Sequence, residues 1–219
     1  MILIDYPDRD TLFASLANSL ADELKAGLST RDRVSLAVPG GSTPGPVFDA
    51  LSEADLDWSR VDVLLTDERR VPSDHERSNE RLIRARLLQN RAAAANFVRL
   101  VPNADDLTSQ IEHARPHLPL TVLVLGMGAD MHTASLFPGA PQLAAALDPA
   151  GPPLMLVDAS EGLEPRITLT APALTSARST HVLITGDDKK TALDQASRET
   201  PETAPITLVL GGAQVHWAP

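Results

Sequence analysis

The sequence predicts an α/β protein: a single domain built on a doubly wound, mostly parallel sheet with helices on both faces. Three observations predict it. Short apolar runs at residues 34–38, 61–65 and 121–125 lack the in-out alternation of a half-exposed strand, as strands buried on both faces do. Segments of helical periodicity alternate with these runs. A polar or glycine-rich loop follows each strand: PGGST after Val38, TDER after Leu65, GMGADMH after Leu125 and GDDK after Thr185. The carboxyl ends of parallel strands lie along one edge, so these loops are expected to converge on one crevice.

In order, residues 2–4 form a short strand. Leu12, Leu16, Leu20 and Leu24, with Phe13 and Ala17 beside them, mark a helix that ends near Gly27. The run 34–38 is a strand, and Val47, Phe48 and Leu51 suggest a short helix after its loop. Residues 61–65 are the third strand. Ser78 can cap a helix that buries Leu82, Ile83, Leu87 and Leu88. Residues 97–100 read as an edge strand and 105–117 as a helix stopped by Pro116 and Pro119. The run 121–125 ends at Gly126, where Gly126 and Gly128 permit a sharp turn, and residues 133–136 read as the first turn of a helix. Residues 141–153, rich in alanine and proline, are a variable excursion. Residues 154–157 and 167–169 suggest a hairpin, 182–185 a strand, and 191–197 a helix. Residues 206–210 and 215–217 read as two last strands.

The 219 residues suffice for one large core, and no repeat or linker divides them, so residues 1–219 are taken as one domain. A formal charge of −10 opposes nonspecific nucleic-acid or anionic membrane binding, so an anionic ligand needs local compensation. There is no cysteine, hence no thiol nucleophile and no thiolate metal site, which suits a reducing cytoplasm. The opening MILIDYPDRD has no basic start, and no span of eighteen apolar residues occurs, so neither a secretory signal nor a membrane helix is expected. Oligomeric state is left open.

The loops carry the chemistry. Asp130 and His132, two residues apart on a loop outside a buried strand, are the raw material of an oriented general base. Gly40, Gly41, Ser42 and Thr43 can hold a phosphate with backbone amides and hydroxyls, although the lysine of a P-loop is missing. Asp67, Glu68, Arg69 and Arg70 place two acids and two bases at a strand end, either a solvated salt-bridge turn or part of the site. No metal-binding spacing accompanies them, so no metal and no cofactor are expected. If Arg166 and Lys189 reach the PGGST loop, one phosphate would meet a guanidinium fork, an ammonium and amide dipoles together. His75, His113, His117, His181 and His216 lack such context and read as surface or packing residues.

Five motifs in order, VPGGSTP (38–44), TDERRVP (66–72) with Ser78 and Asn79 beyond, LGMGADMHTASLFPG (125–139), EPRITLT (164–170) and ITGDDK (184–189), resemble the 6-phosphogluconolactonase family, which shares a fold with glucosamine-6-phosphate isomerases/deaminases. TASLFPG is similar to the lactonase branch, because no Asn-Glu-Pro follows the histidine as in the deaminase branch. The chain departs from the family at Met131, where glycine is usual, and at PITLVLGGAQVHWAP, which lacks the usual helix start near Pro205. The resemblance implies hydrolysis of 6-phosphoglucono-δ-lactone to 6-phosphogluconate in the oxidative pentose phosphate route. It implies His132 as the base that takes a proton from water, with Asp130 or Asp67 orienting the ring and Arg69 or amides near Gly128 meeting the oxyanion. The phosphate would lie on Gly40, Gly41, Ser42 and Thr43 with Arg166 and Lys189. Two other readings are an amino-sugar-phosphate isomerase/deaminase, with Asp67 as base at carbon 2, and a non-catalytic sugar-phosphate sensor. The sensor reading lacks room for a helix-turn-helix ahead of Val34.

Overall fold

The computed structural model describes residues 1–101, 107–159 and 164–219. The chain runs β1 (Ile2–Asp5), α1 (Arg9–Leu28), β2 (Val34–Val38), α2 (Gly45–Ser52), β3 (Val61–Leu65), β4 (Asp67–Arg69), α3 (Asn79–Arg86), β5 (Asn96–Val98), α4 (Leu107–Ala114) and β6 (Val122–Gly126). It continues through α5 (Leu143–Ala146), β7 (Leu154–Val157), β8 (Arg166–Leu169), α6 (Ala171–Thr175), β9 (Ser179–Thr185), α7 (Asp187–Ala196), α8 (Thr207–Leu210) and β10 (Gln214–Ala218).

Seven strands form one parallel sheet in the order β1-β10-β9-β6-β2-β3-β5. From β2 the chain winds outward through β3 to β5; from β6, beside β2, it winds the other way through β9 and β10. The change of direction between β2 and β6 is a topological switch point, and right-handed crossovers send the connecting helices to opposite faces from there. The loops that follow β2 and β6, PGGST and GMGADMH, therefore open on the same crevice. β2 and β3 are buried at every position, as strands covered on both faces must be.

α1 follows its leucine spacing: Leu12, Leu16, Leu20 and Leu24 are all fully buried, and Asp8 caps the helix by accepting the Thr11 N–H at 2.7 Å. Ser78 caps α3 by accepting the Arg81 N–H at 3.2 Å. The expected hairpin exists: β7 and β8 pair antiparallel, and β4 adds to them as a separate three-stranded sheet. β4 itself was not expected, since Asp-Glu-Arg has no strand pattern; pairing with β8 imposes it.

Three local expectations are corrected. Residues 206–210 were expected to be a strand, but their apolar run contains the short helix α8, because a run of this length fits either element until its partners decide. Residues 133–136 form a tight turn closed by the bridge between Thr133 and Leu136 and the bond from Leu136 N–H to Thr133 O at 3.0 Å, with no helix. The turn after β6 uses positive φ at Met131 (66°) and Ala134 (48°), and at neither Gly126 nor Gly128. The expected helix over 105–117 is α4 followed by a 3-10 turn at Arg115–His117, and its start at Asp105 lies outside the described residues, as do residues 161–163 of the loop between β7 and β8.

Candidate active site

The histidine loop is tied to itself at each step. Gly128 N–H donates to His132 O at 2.9 Å, Met131 N–H to Gly128 O at 3.1 Å, and the Thr133 hydroxyl to Gly126 O at 2.9 Å. From the far end of the chain, Ile206 N–H donates to Met131 O at 3.1 Å. Gly128 is required for space: a Cβ there would lie 2.1 Å from His132 Nδ1 and 2.3 Å from Asp130 Oδ1. This packing holds Asp130 Oδ1 2.5 Å from His132 Nδ1. Burial opposes the charge on Asp130, yet the hydrogen bond and charge of His132 win and hold its carboxyl below the usual range. With Nδ1 engaged by the carboxylate, Nε2 is the nitrogen left to act. Of the two groups expected to orient the ring, Asp130 is the one bonded to it.

Asp67 has different partners. Its Oδ1 accepts from the Thr66 hydroxyl at 3.1 Å, its Oδ2 from Ser135 at 2.6 Å, and Arg166 Nη1 stands 3.8 Å from Oδ2. Because β4 and β8 pair antiparallel, Arg69 sits directly opposite Arg166. Like charges facing each other across a strand pair repel, so an anion between them would relieve the site. Arg166 is 6% exposed; burial draws its guanidinium below the ordinary value while Asp67 opposes that shift. The Phe137 ring lies 4.7 Å from the His132 ring, and the Arg166 guanidinium stands 5.9 Å from that of Phe137. Lys189, near the start of α7, donates from Nζ to Met127 O at 2.9 Å.

These side chains share a cavity of about 290 Å³ at the carboxyl edge of the sheet. Gly40, Gly41, Thr43, Asp67, Arg69, His132, Arg166 and Lys189 all line it. Ser42 and Asp130 do not: Ser42 is exposed, and Asp130 stands behind His132. The loop of Gly40, Gly41 and Thr43 leads into α2, whose first amides have no side-chain cap. Among the described residues, no three histidine, aspartate or glutamate side chains are grouped to hold a metal ion. Sequence reasoning missed Phe137, Ser135 and the cavity-lining Asn79, although all three stand inside or beside quoted motifs; Ser135 and Asn79 make their contacts across elements, with no local pattern.

A family model, Glucosamine-6-phosphate isomerases/6-phosphogluconolactonase, matches residues 7–217. The chain belongs to this family. Among its relatives, the 6-phosphogluconolactonase of Mesorhizobium japonicum is 44% identical over 98% of this chain and 94% of that protein. That of Pseudomonas aeruginosa is 40% identical over 93% and 89%. A crystal structure of a 6-phosphogluconolactonase from Shewanella baltica superposes with a TM-score of 0.94 at 32% identity, covering 100% of this chain and 98% of that one. A monomeric glucosamine-6-phosphate deaminase superposes at 0.82 but only 17% identity, which speaks for the fold alone. Within this family frame the unusual residue of the histidine loop is accounted for. Met131 adopts the left-handed conformation glycine takes freely, and its side chain packs on the core beside the loop.

Proposed function

We propose that this chain hydrolyses 6-phosphoglucono-δ-lactone to 6-phosphogluconate. The observation that carries the reading is His132, held by Asp130 2.5 Å behind its Nδ1, on the wall of a cavity whose other walls hold Arg69, Arg166 and Lys189. His132 Nε2 takes a proton from water as its oxygen bonds to the lactone carbonyl carbon. The carbonyl becomes an oxyanion, met by Arg69 or by backbone amides near Gly128, whose own N–H is already given to His132 O. On collapse the bond from that carbon to the ring oxygen breaks, the imidazolium returns the proton to the departing oxygen, and the acid released ionises. Gly40, Gly41 and Thr43, with Arg166 and Lys189, grip the phosphate, so its distance from the carbonyl sets the reacting end against His132, while Ser42, expected to share the grip, stays outside the cavity. Asp67 keeps Arg166 and Ser135 in register for that grip. The reading takes residues 1–219 as one lactonase unit in the cytoplasm, acting on a small sugar-phosphate lactone without cofactor or metal, and with neither nucleic acid nor membrane as partner.

The deciding experiment adds purified protein to freshly made lactone with spontaneous hydrolysis subtracted, and in parallel assays ammonia release from glucosamine 6-phosphate. Accelerated hydrolysis with no ammonia is expected. Ammonia release without lactone hydrolysis would replace this reading with the deaminase one.

A further inference from the structure

Glu68 sits between two cavity-lining residues, Asp67 and Arg69, yet strand alternation turns its side chain the other way. It is 3% exposed, and its carboxylate is satisfied by four donors. Oε1 accepts the Arg69 N–H at 2.6 Å and the Asn79 N–H at 2.9 Å; Oε2 accepts the Ser78 hydroxyl at 3.0 Å and the Glu80 N–H at 2.7 Å. One carboxylate oxygen thus fastens the backbones of Arg69 and Asn79, ten residues apart, to each other. Asn79 extends the tie. Its Nδ2 donates to Asp67 O at 2.8 Å, and its side chain lies so close to Gly40 that a Cβ on Gly40 would be 1.9 Å from Asn79 Oδ1. Arg69 Nε and Asn79 Oδ1 are buried without a hydrogen-bond partner, so neither side chain is held by a full set of its own bonds.

We propose that Glu68 is a positioning residue, the carboxylate that sets Arg69 and Asn79 in the cavity wall and, through Asn79, sets the Gly40 loop against them. It touches no substrate. The reason for a carboxylate here is acceptor count: a glutamine of the same shape offers one oxygen and must turn an NH₂ toward one of the two donor pairs. Both oxygens accept an amide from the first turn of α3, but only Oε1 also accepts the Arg69 N–H, whereas Oε2 also accepts the Ser78 hydroxyl, so the Ser78 bond can be removed without touching the tie between Arg69 and Asn79.

The test compares Glu68→Gln with Ser78→Ala, which leaves both Oε1 bonds in place. Affinity for 6-phosphogluconate is read by calorimetry, kcat/KM on the lactone by rate, and Tm by circular dichroism, the first two at a temperature where each variant is folded. Glu68→Gln is expected to weaken binding and lower kcat/KM by about tenfold or more, the scale of a misplaced site. Ser78→Ala is expected to lower Tm while binding and kcat/KM stay within about twofold, as loss of a cap does. A folded Glu68→Gln with parental binding and kcat/KM overturns the inference. Should Glu68→Gln not fold, Asn79→Ala decides: binding weaker by about fivefold or more is expected from loosening the Gly40 loop, and parental affinity overturns it. The inference rests on the lactonase reading for its kinetic arm only. A parent inert on the lactone that still binds 6-phosphogluconate sinks that reading and leaves binding to decide, whereas a parent that does neither overturns both.

Discussion

His132 has one ring nitrogen committed to Asp130, and that commitment defines which nitrogen faces the chemistry. Replacing it with alanine removes the only imidazole on the cavity wall, among the described residues, and is expected to lower kcat on the order of 10² or more, measured on fresh lactone. Arg166→Ala is expected to act differently, raising KM with a smaller effect on kcat, because a phosphate grip is made alike in ground and transition states. The pairing of His132 with Asp130 also bears on pH. Asp130 has a folded-state pKa below its unfolded one, so its contribution to stability is present above the ordinary carboxylate range and is lost as pH falls through the lowered value. Asp130 therefore stays ionised, and the ring stays oriented, across the neutral and mildly acidic range. Most of these residues were legible in the sequence because they are polar at the ends of apolar runs. Glu68 was legible only as one charge of a strand-end cluster with no role of its own, and Ser135 not at all, since their partners, Asn79 and Asp67, lie 11 and 68 positions away.

At the scale of elements, the loop after β6 depends on the missing side chain at Gly128. Gly128→Ala puts a methyl group about where His132 Nδ1 and Asp130 Oδ1 now meet, so the pair must separate. Activity is expected to fall about as far as in His132→Ala while the Tm changes by only a few degrees, since the parallel strands are untouched. β9 and β10 carry a second element-level feature. Tyr6 OH, His216, His181 and Glu23 form a chain whose two histidines are buried and whose ends are half-buried, with Tyr6 to His216 Nδ1, His216 Nε2 to His181 Nδ1, and His181 Nε2 to Glu23 each at 3.0 Å. Burial, reinforced by His181, pushes the His216 imidazole down to about 4. The unfolded chain binds a proton near about pH 6.5 that the folded chain refuses, so stability falls as pH drops from about 6.5 toward 4, by an amount on the order of 3 kcal/mol. Thermal melts between pH 7 and 4 should show this slope, and His216→Asn should flatten it. Both histidines had been read as surface or packing residues. They are packing residues with a hydrogen-bonded function in the core, and the signal was present: His216 interrupts the apolar stretch 215–217 and His181 opens directly onto the apolar run 182–184.

For the whole molecule, the legible part was the alternation of strands and helices and the loops that follow the strands. These sufficed to infer a parallel sheet and a shared edge, because the physics is local: runs buried on both faces and glycine at the bends. The illegible part was what the three-dimensional neighbours impose. β4 is a strand because β8 pairs with it, and α8 is a helix although its residues, TLVL, suit either element. A chain charge of −10 coexists with a cavity lined by three cations, Arg69, Arg166 and Lys189, because the topology gathers them from three separate segments. Deleting residues 213–219 removes β10, which stands between β1 and β9. The shortened chain is expected to lose its cooperative thermal transition, as followed by circular dichroism.

Among the described residues β1 has β10 as its sole neighbour in the parallel sheet, so β1 waits through some two hundred residues of synthesis before it can pair. The Met131 carbonyl likewise waits for Ile206. On the ribosome the PGGST loop and the β2, β3 and β6 strands can assemble early, while the edge and the histidine loop are fastened only by late-arriving chain, a nonlocal order of events that slows folding. The histidine loop is accordingly fastened only once Ile206 has been made, and a nascent chain stalled before it holds the residues of the loop without the brace that aligns them.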